Sequence, residues 1–195
     1  MKYLFIGAHV DDIELCCGGY IAKLIEQGHD VHCLALISNI DGHELKNEYL
    51  NSMRILGVKN IHIGINYQVR NLNMVRQRLL DELVKLESFD YYIPHSVNDI
   101  HQDHETVGRE SLRAFKKNNL LTYAAEWNQL QSEANYFIEL TEEQMAIKIA
   151  ALECYESQKH RHYFTRQHIY SRAILNGAKI GAKYAEAFRI VNMKG

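Results

Sequence analysis

The chain has 195 residues, 47% of them apolar and 24% charged, and Lys plus Arg (22) nearly balances Asp plus Glu (24). That is the make-up of an ordinary globular protein, long enough for one substantial core without disulfides. The balanced charge speaks against a general nucleic-acid binder, which needs a basic face, and no apolar run approaches the ~18 residues of a membrane-spanning helix.

The first residues carry one Lys and a short apolar run before meeting His9, Asp11 and Asp12, without a small-residue cleavage site, so no signal peptide is expected. Four Cys, at 16, 17, 33 and 154, form no CxxC and suggest neither a zinc knuckle nor a disulfide framework. Reduced thiols, read as small buried apolar residues, fit a cytoplasmic protein. With one Pro and no repeat or low-complexity tract, residues 1–195 are expected to form one domain.

Lys2 to Ala8 is an apolar run of strand length, and Ile13 to Gln27 has helical apolar spacing that stops at Gly28. Val31 to Ile37 reads as a second strand, Glu44 to Leu56 as a helix ended by Gly57, and Ile61 to Ile65 as a short third strand. Met74 to Glu87 reads as a helix with Val75, Leu79, Leu83 and Leu86 on one face. Tyr91 to Pro94 is a fourth strand, followed by a polar loop and a helix from about Glu105 to Lys117. Strand alternating with helix predicts βαβ units: a Rossmann-like three-layer α/β fold with a mainly parallel sheet and helices on both faces. Beyond this, Leu121 to Trp127 and Asn135 to Leu140 read as strands. Thr141 is placed to cap a helix over 142–157, with Glu143 or Gln144 completing a capping box. A basic, His-bearing stretch, Lys159 to His168, precedes a helix ending near Gly177 and a last strand, Tyr184 to Val191.

Ligands of a parallel α/β sheet bind at the carboxyl ends of its strands. A dinucleotide-binding turn would place GxGxxG after the first strand, whereas this chain reads Gly7-Ala8-His9-Val10-Asp11-Asp12-Ile13-Glu14. Two carboxylates there repel a phosphate and attract a cation. His9 and Asp12 are spaced to converge on one ion, and Asp11 between them stands where a general base would work on a metal-bound water. The alternative, that Asp11 or Asp12 merely caps the following helix, stays open on the turn alone. After the fourth strand, Asp99, His101, Asp103 and His104 fall within six positions on the same sheet edge. A third ligand from this cluster would complete two imidazoles and one carboxylate, the open pattern of catalytic Zn²⁺. His43, His95, His160, His162 and His168 have no such partner and read as surface or supporting residues.

His9-Val10-Asp11-Asp12 with Glu14 and Gly18-Gly19 resembles the AHPDDxExxxGG signature of the PIG-L/LmbE-like N-deacetylases. Pro94 with Asp99, His101, Asp103 and His104 resembles their PxxxxDxHxDH. Glu48, Leu56 and Gly57 sit at the spacing of the family's ExxxAxxxLG helix. Asn135 to Thr141, Ala151-Leu152 and Ser157-Gln158 resemble NxFVDIT…AL…SQ, and Tyr184 to Phe188 resembles YxExF. The resemblance implies a Zn²⁺-dependent hydrolase, with Fe²⁺ as another divalent option, that removes an acetyl group from the amine of an N-acetylated sugar or glycoconjugate. It implies His9, Asp12 and His104 as metal ligands, Asp11 as general base and later acid, His101 as polariser of the carbonyl, and Asp103 as the group orienting His101. Homo-oligomers occur in the family, and this sequence indicates no stoichiometry. Other substrates implied are a thiol-sugar precursor, a sugar nucleotide or an antibiotic intermediate; a non-catalytic binding module on the same fold is the competing class. The chain departs from the pattern at Val10 and Ala134, where the family has Pro, and at Leu45, where many members carry Arg. Lys159, Arg161 and Arg166 read first as a solvated surface, and second as a site for an anionic substrate group.

Overall fold

The computed structural model describes residues 1–37, 43–64 and 67–194. Ile65, the expected end of the third strand, and the side chain of His43 lie outside the described residues. The first strand, β1 (Lys2–His9), is continuous in apolar residues because both its faces are covered. Tyr3 and Phe5 enter one core and Leu4, Ile6 and Ala8 the other, as the two-residue period of a strand requires.

Helix α1 (Asp12–Glu26) returns the chain to β2 (Asp30–Ile37), and α2 (His43–Ile55) leads to β3 (Asn60–Ile63). Helix α3 (Arg76–Leu83) precedes β4 (Tyr91–Ile93), and α4 (Gln102–Phe115) precedes β5 (Asn119–Tyr123). The strands β6 (Tyr136–Leu140) and β7 (Tyr184–Asn192) enclose α5 (Glu142–Leu152) and α6 (Arg166–Ala178) in sequence. The sheet has seven strands in the order β3-β2-β1-β4-β5-β7-β6. Neighbours from β3 to β5 pair in parallel, and β7 runs antiparallel to both β5 and β6. Helices α1, α2, α5 and α6 contribute to the core on one face, and α3 and α4 to the core on the other. The three-layer, mainly parallel α/β architecture is the expected one.

Several boundaries differ from expectation. The helix expected over 74–87 is a 3₁₀ turn, Leu72–Val75, followed by only eight α-helical residues. Leu79 and Leu83 are buried, but Val84 is 57% and Leu86 39% exposed, so no core contact rewards continuing the helix. The helix after the fourth strand starts at Gln102 rather than Glu105, which moves Asp103 and His104 from a loop onto its first turn. Strand β5 ends at Tyr123, and Trp127 lies in a 3₁₀ turn, Glu126–Asn128. The helix expected to reach Ser157 stops at Leu152, and Ser157 lies in a separate 3₁₀ turn. Its N-terminus is the expected capping box, with Gln144 rather than Glu143 as partner: Thr141 Oγ1 accepts from Gln144 N at 3.2 Å, and Gln144 Oε1 accepts from Thr141 N at 3.1 Å. All four Cys are free; three are buried, and Cys154 is half-buried.

Two distant motif pairs are joined in the core. Glu186 on β7 accepts from Gly19 N at 2.9 Å and Tyr20 N at 2.7 Å, and pairs with buried Lys148 at 2.6 Å. A Cβ on Gly19 would overlap Leu140 and lie 3.1 Å from Glu186 Oε1, so glycine is needed for this approach. Glu48 on α2 accepts from Ser157 N and Oγ at 2.9 and 2.5 Å, tying the Ser157 turn to α2.

Candidate metal centre

The carboxyl end of β1 delivers His9, and the chain turns at once into α1. Asp11 takes the N-cap position of α1 but makes no side-chain cap hydrogen bond. Asp12, the first helical residue, bends back so that its Oδ2 accepts from His9 N at 2.7 Å. Neither carboxylate caps the helix, which removes the capping alternative.

His104 comes from the first turn of α4, which His101 caps: His101 Nδ1 accepts from Asp103 N at 3.2 Å. Donor atoms of three side chains then face one another. His9 Nδ1 lies 3.2 Å from His104 Nε2 and 3.2 Å from Asp12 Oδ2, and His104 Nε2 lies 3.3 Å from Asp12 Oδ1. Donors about 2.0–2.1 Å from a tetrahedral ion stand about 3.3 Å apart, so the spacing fits a small divalent cation such as Zn²⁺. His9, His104 and Asp12 are 6%, 4% and 6% exposed.

The far nitrogen of each imidazole is held by a carboxylate. His9 Nε2 meets Asp103 Oδ2 at 3.1 Å, and His104 Nδ1 meets Asp99 Oδ2 at 2.9 Å. Such carboxylates fix the ring and its tautomer so that the other nitrogen is aimed inward. The partner of Asp103 is therefore corrected. Its side chain bonds to His9 and accepts from Arg70 N at 2.6 Å, while only its backbone amide reaches His101. The helix start at Gln102 is the cause: His101 is the cap and Asp103 lies in the first turn, so the His101 ring meets the Asp103 amide and not its carboxylate.

His95, expected at the surface or in support, takes the second of these places. It is fully buried, stacks on His104 with ring centroids 4.0 Å apart, and brings Nε2 within 3.1 Å of Asp12 Oδ2, Ala8 N and Tyr123 Oη. Two overlapping groups of donors lie close enough together for an ion, His9–His101–His104 and Asp12–His95–His104; they share His104 and between them contain the expected His9, Asp12 and His104. The crowded Nε2 of His95 makes it a supporting residue rather than an open donor. Its position right after Pro94, at the end of a buried strand, was the signal that spacing alone missed.

Electrostatics follow from this packing. Burial disfavours charge on His9, but Asp12 and Asp103 outweigh it and raise its pKa to about 9. The same contest at His104, won by Asp12 and Asp99, raises it to about 10. Asp12 is buried, yet His104, His95 and His9 hold it well below the usual carboxylate range. Burial, then the neighbouring Asp12 charge, pushes Asp11 up to about 6. Burial and the His104 charge lower His95 to about 4. His101 is lowered by burial, then by His104 and His9; with Nδ1 accepting from an amide, its proton belongs on Nε2.

These groups open into a cleft of about 300 Å³ also lined by Leu15, Val69, Arg70, Trp127, Arg161 and Tyr163. The sequence reads Arg161 only second as part of an anion site, and spacing does not assign Arg70, Trp127 or Tyr163 to the site, since the four come from three separate connections.

Residues 4–115, more than half of the chain, match the family model PIG-L, described as GlcNAc-PI de-N-acetylase. The chain belongs to the PIG-L family. The chain is 30% identical over 170 residues to the uncharacterized deacetylase YaiS of Escherichia coli, covering 79% of this chain and 90% of that protein. It is 28% identical over 227 residues to the diacetylchitobiose deacetylase of Thermococcus kodakarensis, covering 97% and 83%. The crystal structure of the conserved protein TT1542 from Thermus thermophilus superposes with a TM-score of 0.81 at 21% identity, over 98% of this chain and 95% of that one, and shows the same fold. No described helix is long and apolar enough to cross a membrane.

Proposed function

We propose that this PIG-L protein is a zinc-dependent deacetylase that hydrolyses the N-acetyl amide of an acetylated sugar or sugar conjugate. The observation that carries this reading is the convergence of His9 Nδ1, His104 Nε2 and an Asp12 carboxylate within 3.3 Å, with buried Asp11 alongside and not used as a cap. The deacetylases among its relatives support the reaction class.

His9, Asp12 and His104 would hold the ion, which supplies Lewis acidity that lowers the pKa of water to about 7. Asp11 is the base. Burial among carboxylates raises it to about 6, which brings its proton affinity close to that of the reaction at neutral pH. It takes a proton from water and returns it to the departing amine. His101, with Nδ1 committed to the Asp103 amide, presents Nε2–H to the carbonyl oxygen as negative charge develops there. His101 thus acts as a neutral donor. Asp103 and Asp99 keep the two ligand imidazoles aligned.

The test is acetate and free-amine release by the zinc-loaded protein from a panel of N-acetylated sugars and conjugates. Asp11→Asn is expected to lower release by about 10² or more while zinc stays stoichiometric. Undiminished release by this variant would remove Asp11 from the mechanism; no release from any compound by the parent protein would remove the reaction.

A further inference from the structure

The cations of the Lys159–His168 stretch part company in the fold. Lys159 pairs with Glu156, and Arg166 pairs with Glu153, both in exposed positions. The next arginine along, Arg172, is held by Glu126 at 2.9 Å. Arg161 instead lines the cleft and makes no ion pair among the described residues. An aromatic pair positions it. Its Nη1 donates to Tyr163 Oη, its guanidinium lies 5.8 Å from the Tyr163 ring centre, and Tyr163 stacks on Trp127 at 4.5 Å and 4°. Most of the five N–H donors of the guanidinium therefore have no partner among the described residues. Arg161 and Asp11 line the same cleft.

A second arginine lines the same cleft. Arg70 has φ 62° and is the one described non-glycine residue with positive φ. Glycine would adopt that backbone without strain, and arginine does not. The conformation is imposed by the metal centre's own framework: Asp103 accepts from Arg70 N at 2.6 Å, and Gln102 Nε2 donates to the Arg70 carbonyl. The Arg70 side chain also makes no ion pair among the described residues, and it is exposed. A strained position at a cleft that carries a long cation rather than glycine points to use of the side chain.

We propose that Arg70 and Arg161 form an anion subsite that takes a phosphoryl group carried by the substrate. The inference rests on the deacetylase reading above and names the substrate class for it. One bidentate guanidinium neutralises one carboxylate. Two guanidinia with no ion pair among the described residues, reaching one cleft from separate connections, match a dianion, and the planar fork of arginine suits phosphate oxygens. The substrate is thus an N-acetylated sugar bearing a phosphate or a diphosphate.

Isothermal titration of the zinc-loaded full chain with N-acetylglucosamine, N-acetylglucosamine 1-phosphate and UDP-N-acetylglucosamine tests the subsite. The expected result is binding of a phosphorylated ligand at least tenfold tighter than the neutral sugar, with Arg70→Gln/Arg161→Gln reducing that preference to less than threefold. A preference for only one phosphorylated ligand assigns the source as a sugar monophosphate or a sugar nucleotide. Equal affinity for all three in the parent protein overturns the subsite. So does a preference that survives in the double variant, since the ion would then be the anion receptor. The titration reads binding rather than amine release. A chain that selects phosphorylated sugars yet releases no amine therefore refutes the deacetylase reading alone, and one that releases amine without selecting them refutes the subsite alone.

Discussion

Asp103 grips His9 across 94 residues of sequence, with Oδ2 at 3.1 Å from Nε2, although its motif neighbour is His101. The carboxylate is fully buried and also takes the amides of Arg70 and Leu72 at 2.6 and 3.3 Å. It holds the His9 ring, whose Nδ1 is the proposed metal donor.

Asp103→Asn keeps the size of the side chain but weakens this hold. Metal affinity is expected to fall about 10–100-fold, the usual effect of removing such a supporting carboxylate. Chelator competition on the purified variant measures it. An unchanged affinity would show that His9 is oriented by packing alone.

The metal-free centre predicts a pH dependence of known sign. His9 is raised to about 9 and His104 to about 10, against an ordinary value near 6.5. Groups with raised pKa values stabilise the fold fully below about pH 6.5, and that contribution is lost as pH rises through 9 and 10. Chemical denaturation of chelator-treated protein is expected to show falling stability over that window. A divalent ion must displace the same protons, so its apparent affinity rises with pH, and calorimetry in buffers of different ionisation enthalpy should register proton release. Flat stability from pH 6.5 to 10 in the metal-free protein would contradict the charge state assigned to the pair.

Two glycines should respond differently to Ala. A Cβ on Gly108 of α4 would stand 2.7 Å from His95 O and 3.0 Å from Ser96 C, both backbone atoms that cannot swing aside. Gly108→Ala is expected to destabilise by about 1–3 kcal/mol, typical of overpacking, and to weaken metal binding by displacing His95 and His104. A Cβ on Gly18 meets only the Lys148 side chain, Cγ at 3.0 Å, which has torsional freedom to shift. Thermal unfolding of the two variants side by side decides it, and equal losses would argue against the backbone clash.

The parallel part of the fold and the ligand turn were legible because both depend on local pattern. Apolar runs of strand length mark β1 and β2, and the His9–Asp12 spacing places two donors within one turn. His95 was set aside because its partners, Asp12 and Tyr123, are 83 and 28 residues away and no spacing rule connects them. The start of α4 was placed three residues late because His101 is an unusual cap: its ring nitrogen, in place of a hydroxyl or carboxylate, accepts the amide of Asp103. Trp127, Arg161 and Tyr163 reach the cleft from 3₁₀ turns or the residue beside one, segments with no periodicity to read.

The grip of Glu186 on Gly19 and Tyr20 has a consequence for synthesis of the chain. Those contacts join residues 167 and 166 positions apart. During translation the helix that carries Asp12 emerges early, yet its seat against the sheet is completed only when the last strand has left the ribosome. A nascent or prematurely terminated polypeptide would therefore hold every proposed ligand and still lack the anchorage that fixes one of them in place.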